Sequence, residues 1–129
     1  RPDVTFPTGA KTCCFIFTRD RKAAAKFYSE VRCGNLTATD YYSDTFNLGD
    51  VEMRVVPMKD HKPSMHTVLG WEVKDIVADV KALSAEGVKF QVYDGFGQDD
   101  LGIWNDPSGR VKLAWFLDAD GNNLSLAQH

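Results

Sequence analysis

Apolar positions switch between two periods along this chain, and the switch happens twice. Residues 12–18, TCCFIFT, are β-branched and aromatic and predict a strand. Beyond them Ala24, Phe27, Tyr28 and Val31 fall three and four apart, which predicts a helix capped by Asp20 and stopped by Gly34. Residues 67–73, TVLGWEV, predict another strand. Ile76, Val80 and Leu83 predict another helix, capped by Asp75 and stopped by Gly87. The offset that relates the two caps also relates the two strands, so the chain reads as a repeat.

Short strands follow each helix. The first set is 35–39, 44–48 and 51–56, with Gly49 and Asp50 in the last turn. The second is 88–93, 101–105, 111–117 and 123–127, with turns DPSG at 106–109 and DADGN at 118–122. Each half is thus strand, helix, then about three strands. Module 1 covers about 11–57, a Pro-containing linker 58–65, and module 2 about 66–128. Neither half is large enough to be stable alone, so 1–129 is expected to be a single domain with a shared core.

This tandem βαβββ pattern resembles the vicinal oxygen chelate superfamily of glyoxalases, bleomycin-resistance proteins and extradiol dioxygenases. Two segments carry the resemblance. Arg19 and Asp20 through Phe27 and Tyr28 look like the family's first strand-to-helix junction. Residues 114–122, AWFLDADGN, are similar to its Phe-x-Asp-Pro-Asp-Gly-Asn hairpin, with Ala119 in place of Pro. The resemblance implies an α+β fold, two modules forming a cupped mixed sheet, and a homodimer. It also implies four metal-ligand positions, which fall here on Cys13, about Arg54, Val68 and Ser125. Valine cannot ligate, a guanidinium repels a cation, and serine is a weak ligand at neutral pH. The expectation is a member without the family's metal and with no cofactor. A register slip of two residues would bring His66 and Glu52 inward instead.

Strand alternation extends the cup lining. If Cys13 and Val68 face it, so do Phe15, Phe17, Gly70 and Glu72. Arg54 shares its face with Glu52 and Val56, and Ser125 shares its face with Asn123 and Ala127. Trp115, with Trp104 on the preceding strand, suggests an aromatic wall. The expected ligand-binding residues are therefore Arg54, Glu72, Trp104, Trp115, Phe15, Phe17, Cys13 and Ser125, with no catalytic residue assigned. The simpler alternatives are that Arg54 and Glu72 pair with each other or reach solvent, and that the tryptophans are ordinary packing. Cys13 is expected to be a buried thiol, because no His occupies a matching position. Residues 94–100 are expected to form a loop beside the cavity mouth.

Charge and composition narrow the partners. With 15 basic and 18 acidic residues and a net charge of −3, nothing draws the chain to nucleic acid. No apolar run approaches the ~20 residues that span a bilayer, so no membrane partner is expected. Three cysteines without metal-type spacing suit a reducing, cytoplasmic setting. The N-terminus lacks the apolar stretch of a signal peptide, and Arg1 is not a translation start, so an upstream segment or tag is expected. The expected function is binding of a small hydrophobic or aromatic molecule, with an anionic one as a variant. The alternatives are a metal-dependent lyase, isomerase or dioxygenase with a displaced site, and an interaction module whose cup is filled by its own side chains.

Overall fold

The computed structural model describes residues 9–32 and 34–129. Strand β1 (Cys13–Thr18) leads into helix α1 (Arg21–Lys26), whose cap is Asp20: its carboxylate accepts the backbone amides of Lys22 and Ala23. The expected apolar stripe continues to Val31, but as a wide π-turn over Phe27–Val31, where the Arg32 amide reaches back five residues to the Phe27 carbonyl at 3.1 Å. Gly34 ends the turn by close approach. Its amide donates to the Tyr28 carbonyl at 2.7 Å, and a Cβ there would lie 2.9 Å from that oxygen. Strands β2 (Asn35–Thr39), β3 (Asp44–Asn47) and β4 (Glu52–Pro57) complete a mixed sheet ordered β1-β4-β3-β2, with β1 and β4 parallel.

The second half repeats this plan. Strand β5 (Thr67–Glu72) precedes helix α2 (Ile76–Ala85), where the Asp75 carboxylate caps the amide of Ala78. Strands β6 (Trp104–Asn105), β7 (Lys112–Leu117) and β8 (Asn123–Gln128) give the order β5-β8-β7-β6, again with the first and last strands parallel. Two mixed sheets and two helices make the fold α+β, as expected from tandem βαβββ modules.

Two expected strands are corrected. Residues 88–93 form no strand; their backbone meets β7 at a Phe90–Phe116 bridge and where the Gln91 amide donates to the Trp115 carbonyl. Of 101–105, only Trp104 and Asn105 pair. The cause is Gln98, whose amide accepts from the Tyr93 backbone amide and donates to the Gln91 and Gly102 carbonyls. Those backbone groups are spent on folding the segment into a compact loop.

One hydrophobic cluster joins the modules. Ile16, Phe46, Met53 and Val55 line the buried face of the first sheet, under Ala24 and Tyr28. Ala114, Phe116, Leu124 and Leu126 do the same for the second, under Ile76, Val80 and Leu83. Each Val, Leu, Ile, Met or Phe among them contributes roughly 1.5–3 kcal/mol on burial.

The two segments that carry the family resemblance bind each other. The Thr18 hydroxyl and the Arg19 amide donate to the Asp120 carboxylate at 2.5 and 2.8 Å. The Tyr28 hydroxyl donates to Asp118, and the Asn122 side-chain amide donates to both Asp118 and the Phe17 carbonyl. Those two donations leave Asn122 Oδ1 as an acceptor, so His61 Nε2, 2.6 Å away, carries the proton. The His61 ring also rests on Phe17, which ties residues 58–65 to both modules. Behind the π-turn, the Arg32 guanidinium lies 4.1 Å from the centre of the Trp71 ring.

Candidate functional site

Each sheet turns one face to the helices and leaves the other open. On the first sheet the open face carries Cys13, Phe15 and Phe17, opposite Glu52, Arg54 and Val56 in register. Phe15 is half exposed. Arg54 pairs at 3.2 Å with Glu52, two residues away on its own strand, and not with Glu72. Cys14 points the other way into the core, where burial pushes its thiol pKa up. Cys13 and Cys14 are both free thiols, and Cys33 lies outside the described residues.

On the second sheet the repeat offset fails at one residue. A bulge in β5 sets Thr67 opposite Asn123 and Leu69 opposite Leu124, leaving Val68 as the extra residue. Thr67, not Val68, therefore occupies the position across from Asn123, and its hydroxyl donates to the side-chain Oδ1 of Asn123 at 3.0 Å. Ser125 lies between Gly70 and Trp115, and its hydroxyl fills the space a Cβ on Gly70 would need. Trp104 pairs with Leu113. Glu72 lies 2.5 Å from His129. Arg54 and Glu72 thus stand on different sheets with different partners.

The second sheet also carries a cavity of about 310 Å³, lined by Met65, His66, Thr67, Tyr93, Phe96, Trp115 and Asn123. Three of its walls are aromatic, and two of them meet the third, Trp115, edge to face. Tyr93 meets Trp115 at a centroid distance of 5.6 Å and an interplanar angle of 72°, and Phe96 meets Trp115 at 5.8 Å and 79°. The remaining polar lining is organised around Asn123, which is buried. Its amide nitrogen donates to the Met65 carbonyl at 3.3 Å and to the Tyr93 hydroxyl oxygen at 3.1 Å. Phe96 rides on the loop over 94–100, between Gly95 and Gly97, whose φ values of 83° and 68° suit glycine alone.

Of the eight expected site residues only Trp115 lines this cavity, and Ser125 is its neighbour across the strand pair. Tyr93 escaped sequence reading because 88–93 reads as a strand, whereas Phe96 lies on the 94–100 loop expected beside the cavity mouth. Asn123 was legible through its shared face with Ser125. Thr67 was hidden by the bulge.

The metal positions implied by the resemblance do not fit a metal. Cys13, Arg54, Thr67 or Val68, and Ser125 offer one thiol, a cation and at most two hydroxyls. Among the described residues, no group of three or more His, Cys, Asp and Glu side chains comes together so as to hold an ion. His66 reaches the cavity, but Glu52 lies on the other sheet.

No family model matches the sequence, and no curated protein matches it significantly. Solved structures do match in fold. A glyoxalase/bleomycin resistance protein/dioxygenase superfamily member from Sphaerobacter thermophilus aligns at TM-score 0.72 and 19% identity, over 94% of this chain and 98% of its own. The fosfomycin resistance protein FosX from Listeria monocytogenes aligns at 0.73 and 9%, over 96% and 95%. A lactoylglutathione lyase from Agrobacterium tumefaciens aligns at 0.71 and 12%, over 95% of each chain. The chain therefore has the glyoxalase/bleomycin-resistance/dioxygenase fold, the fold of the vicinal oxygen chelate superfamily. At these identities the likeness speaks for architecture, and chemistry has to be argued from the site.

Proposed function

We propose that this protein binds a small hydrophobic or aromatic molecule in the cavity over its second sheet, without the metal of the fold's enzymes. The carrying observation is the aromatic cavity itself: Tyr93, Phe96 and Trp115 around the hydrogen-bonded amide of Asn123. A volume of about 310 Å³ suits a one- or two-ring molecule. The reading extends to a homodimer in a reducing, cytoplasmic setting. A second subunit, or a larger ligand, would then meet the open-face residues Cys13, Phe15, Phe17, Arg54, Glu72 and Trp104. An anionic ligand would have to compete with Glu52 for Arg54.

The test combines elemental analysis with melting curves and a fluorescence screen. The expected result is no metal retained after dialysis and no change in melting temperature with Zn, Ni, Mn or Fe(II). Aromatic compounds should quench tryptophan emission saturably in the wild type and weakly in Trp115→Leu. About one metal per chain, with a saturable rise in melting temperature, would replace this reading by the metal-dependent lyase, isomerase or dioxygenase alternative. His66→Ala and Glu52→Ala would then be the first variants.

A further inference from the structure

Resting on that cavity, we propose that its ligand is a planar aromatic molecule bearing an uncharged hydrogen-bond acceptor, read by the hydroxyl proton of Tyr93. The geometry of one amide carries the point. Asn123 spends its nitrogen on the Met65 carbonyl and on the Tyr93 oxygen, and its own oxygen receives Thr67. Tyr93 is thereby an acceptor toward Asn123. A phenol has one proton, and no described residue accepts it. The proton is left to a group that enters the cavity Tyr93 lines. Around it the faces of Trp115 and Phe96 favour a flat ring over a branched chain.

The probes are quinoline, which has an acceptor nitrogen, naphthalene, its isostere without one, and indole, which is only a donor. Each is titrated in neutral buffer into the wild type and into Tyr93→Phe. The readout is the Trp115 indole N–H resonance, assigned by its loss in Trp115→Phe. In the wild type quinoline should bind about tenfold more tightly than naphthalene or indole, the worth of one good hydrogen bond. In Tyr93→Phe that preference should vanish while naphthalene affinity stays, since the ring contacts survive. Equal binding of quinoline and naphthalene to the wild type would overturn the acceptor assignment but leave the aromatic cavity standing. A preference that persists in Tyr93→Phe would overturn it in favour of another donor, such as His66. If no probe moves the resonance, the cavity reading fails and takes this one with it. Should Tyr93→Phe also lose naphthalene, Asn123→Asp decides. A carboxylate there captures the Tyr93 proton, so the quinoline preference should disappear, and its survival would overturn the assignment.

Discussion

The Tyr28 hydroxyl donates to the Asp118 carboxylate at 2.7 Å, across 90 residues of sequence. Tyr28 belongs to the π-turn of the first module and Asp118 to the β7–β8 turn of the second, so one buried bond spans the repeat. Removing the hydroxyl leaves Asp118 with its Asn122 and backbone donors but one fewer partner in a dry site. Tyr28→Phe should cost about 1–3 kcal/mol in urea unfolding. A loss below about 0.5 kcal/mol would mean that this bond adds little to the apolar packing and to the Asp120 and Asn122 bonds between the modules.

The same pair sets an alkaline limit. Burial first, and then the charge of Asp118, push the Tyr28 phenol far above its ordinary value of 10.0. The folded chain keeps the proton that the unfolded chain releases. The stabilisation is therefore complete below about pH 10 and declines as pH rises above it. Unfolding free energies should fall more steeply from pH 9 to pH 11 in the wild type than in Tyr28→Phe. Parallel pH profiles would contradict this.

Asp120 is the second fastening between the halves. Its carboxylate takes the Thr18 hydroxyl, the Arg19 amide and the Arg19 Nε, while its side chain is almost fully buried. Asp120→Ala should destabilise by about 2–4 kcal/mol, because the buried Thr18 hydroxyl and the partly buried Arg19 amide lose their acceptor. Arg19→Ala should cost less than about 1 kcal/mol, since that side chain is half exposed. Chemical denaturation of both variants checks the order, and a reversed order would shift the weight to the guanidinium.

Phe96 contributes little to the core and covers the cavity from a two-glycine tip. Phe96→Ala should change stability by less than about 1 kcal/mol. It should speed naphthalene association in stopped-flow tryptophan fluorescence. Slower entry, or a large loss of stability, would make Phe96 a wall of the fold and not a cover.

Arg54 faces Glu52 on the first sheet and is absent from the cavity lining. Arg54→Ala should leave quinoline affinity within about twofold, because an exposed ion pair is worth under about 1 kcal/mol and does not touch the ring. Calorimetry with quinoline and with benzoate separates the cases. A loss confined to benzoate would place an anion site on the first sheet.

The repeat was legible because its signals are local. Asp20 and Asp75 cap where their spacing says, and the apolar residues of β1, β4, β7 and β8 alternate as a half-buried strand requires. Alternation alone also places Trp115 and Asn123 on open faces. Three things escaped it. The β5 bulge exchanges Val68 for Thr67 opposite Asn123, while Gly70 and Glu72 keep their expected places opposite Ser125 and Ala127. Gln98 takes the backbone partners that 88–93 needed to be a strand. Arg54 pairs with Glu52 and Glu72 with His129, on sheets joined by no shared ladder.

By itself the sequence determined the two-module plan, the caps, the core faces and the poverty of metal-ligating side chains at the implied positions. Those follow from periodicity and residue chemistry, which act over a few neighbours. Only the tertiary structure decided that the two motif segments clasp each other and that Tyr93, Phe96 and Trp115 converge on one cavity. It also leaves the Tyr93 hydroxyl proton without an acceptor among the described residues. Each of these depends on which distant groups consume a donor or acceptor, and that accounting closes only when the chain is folded.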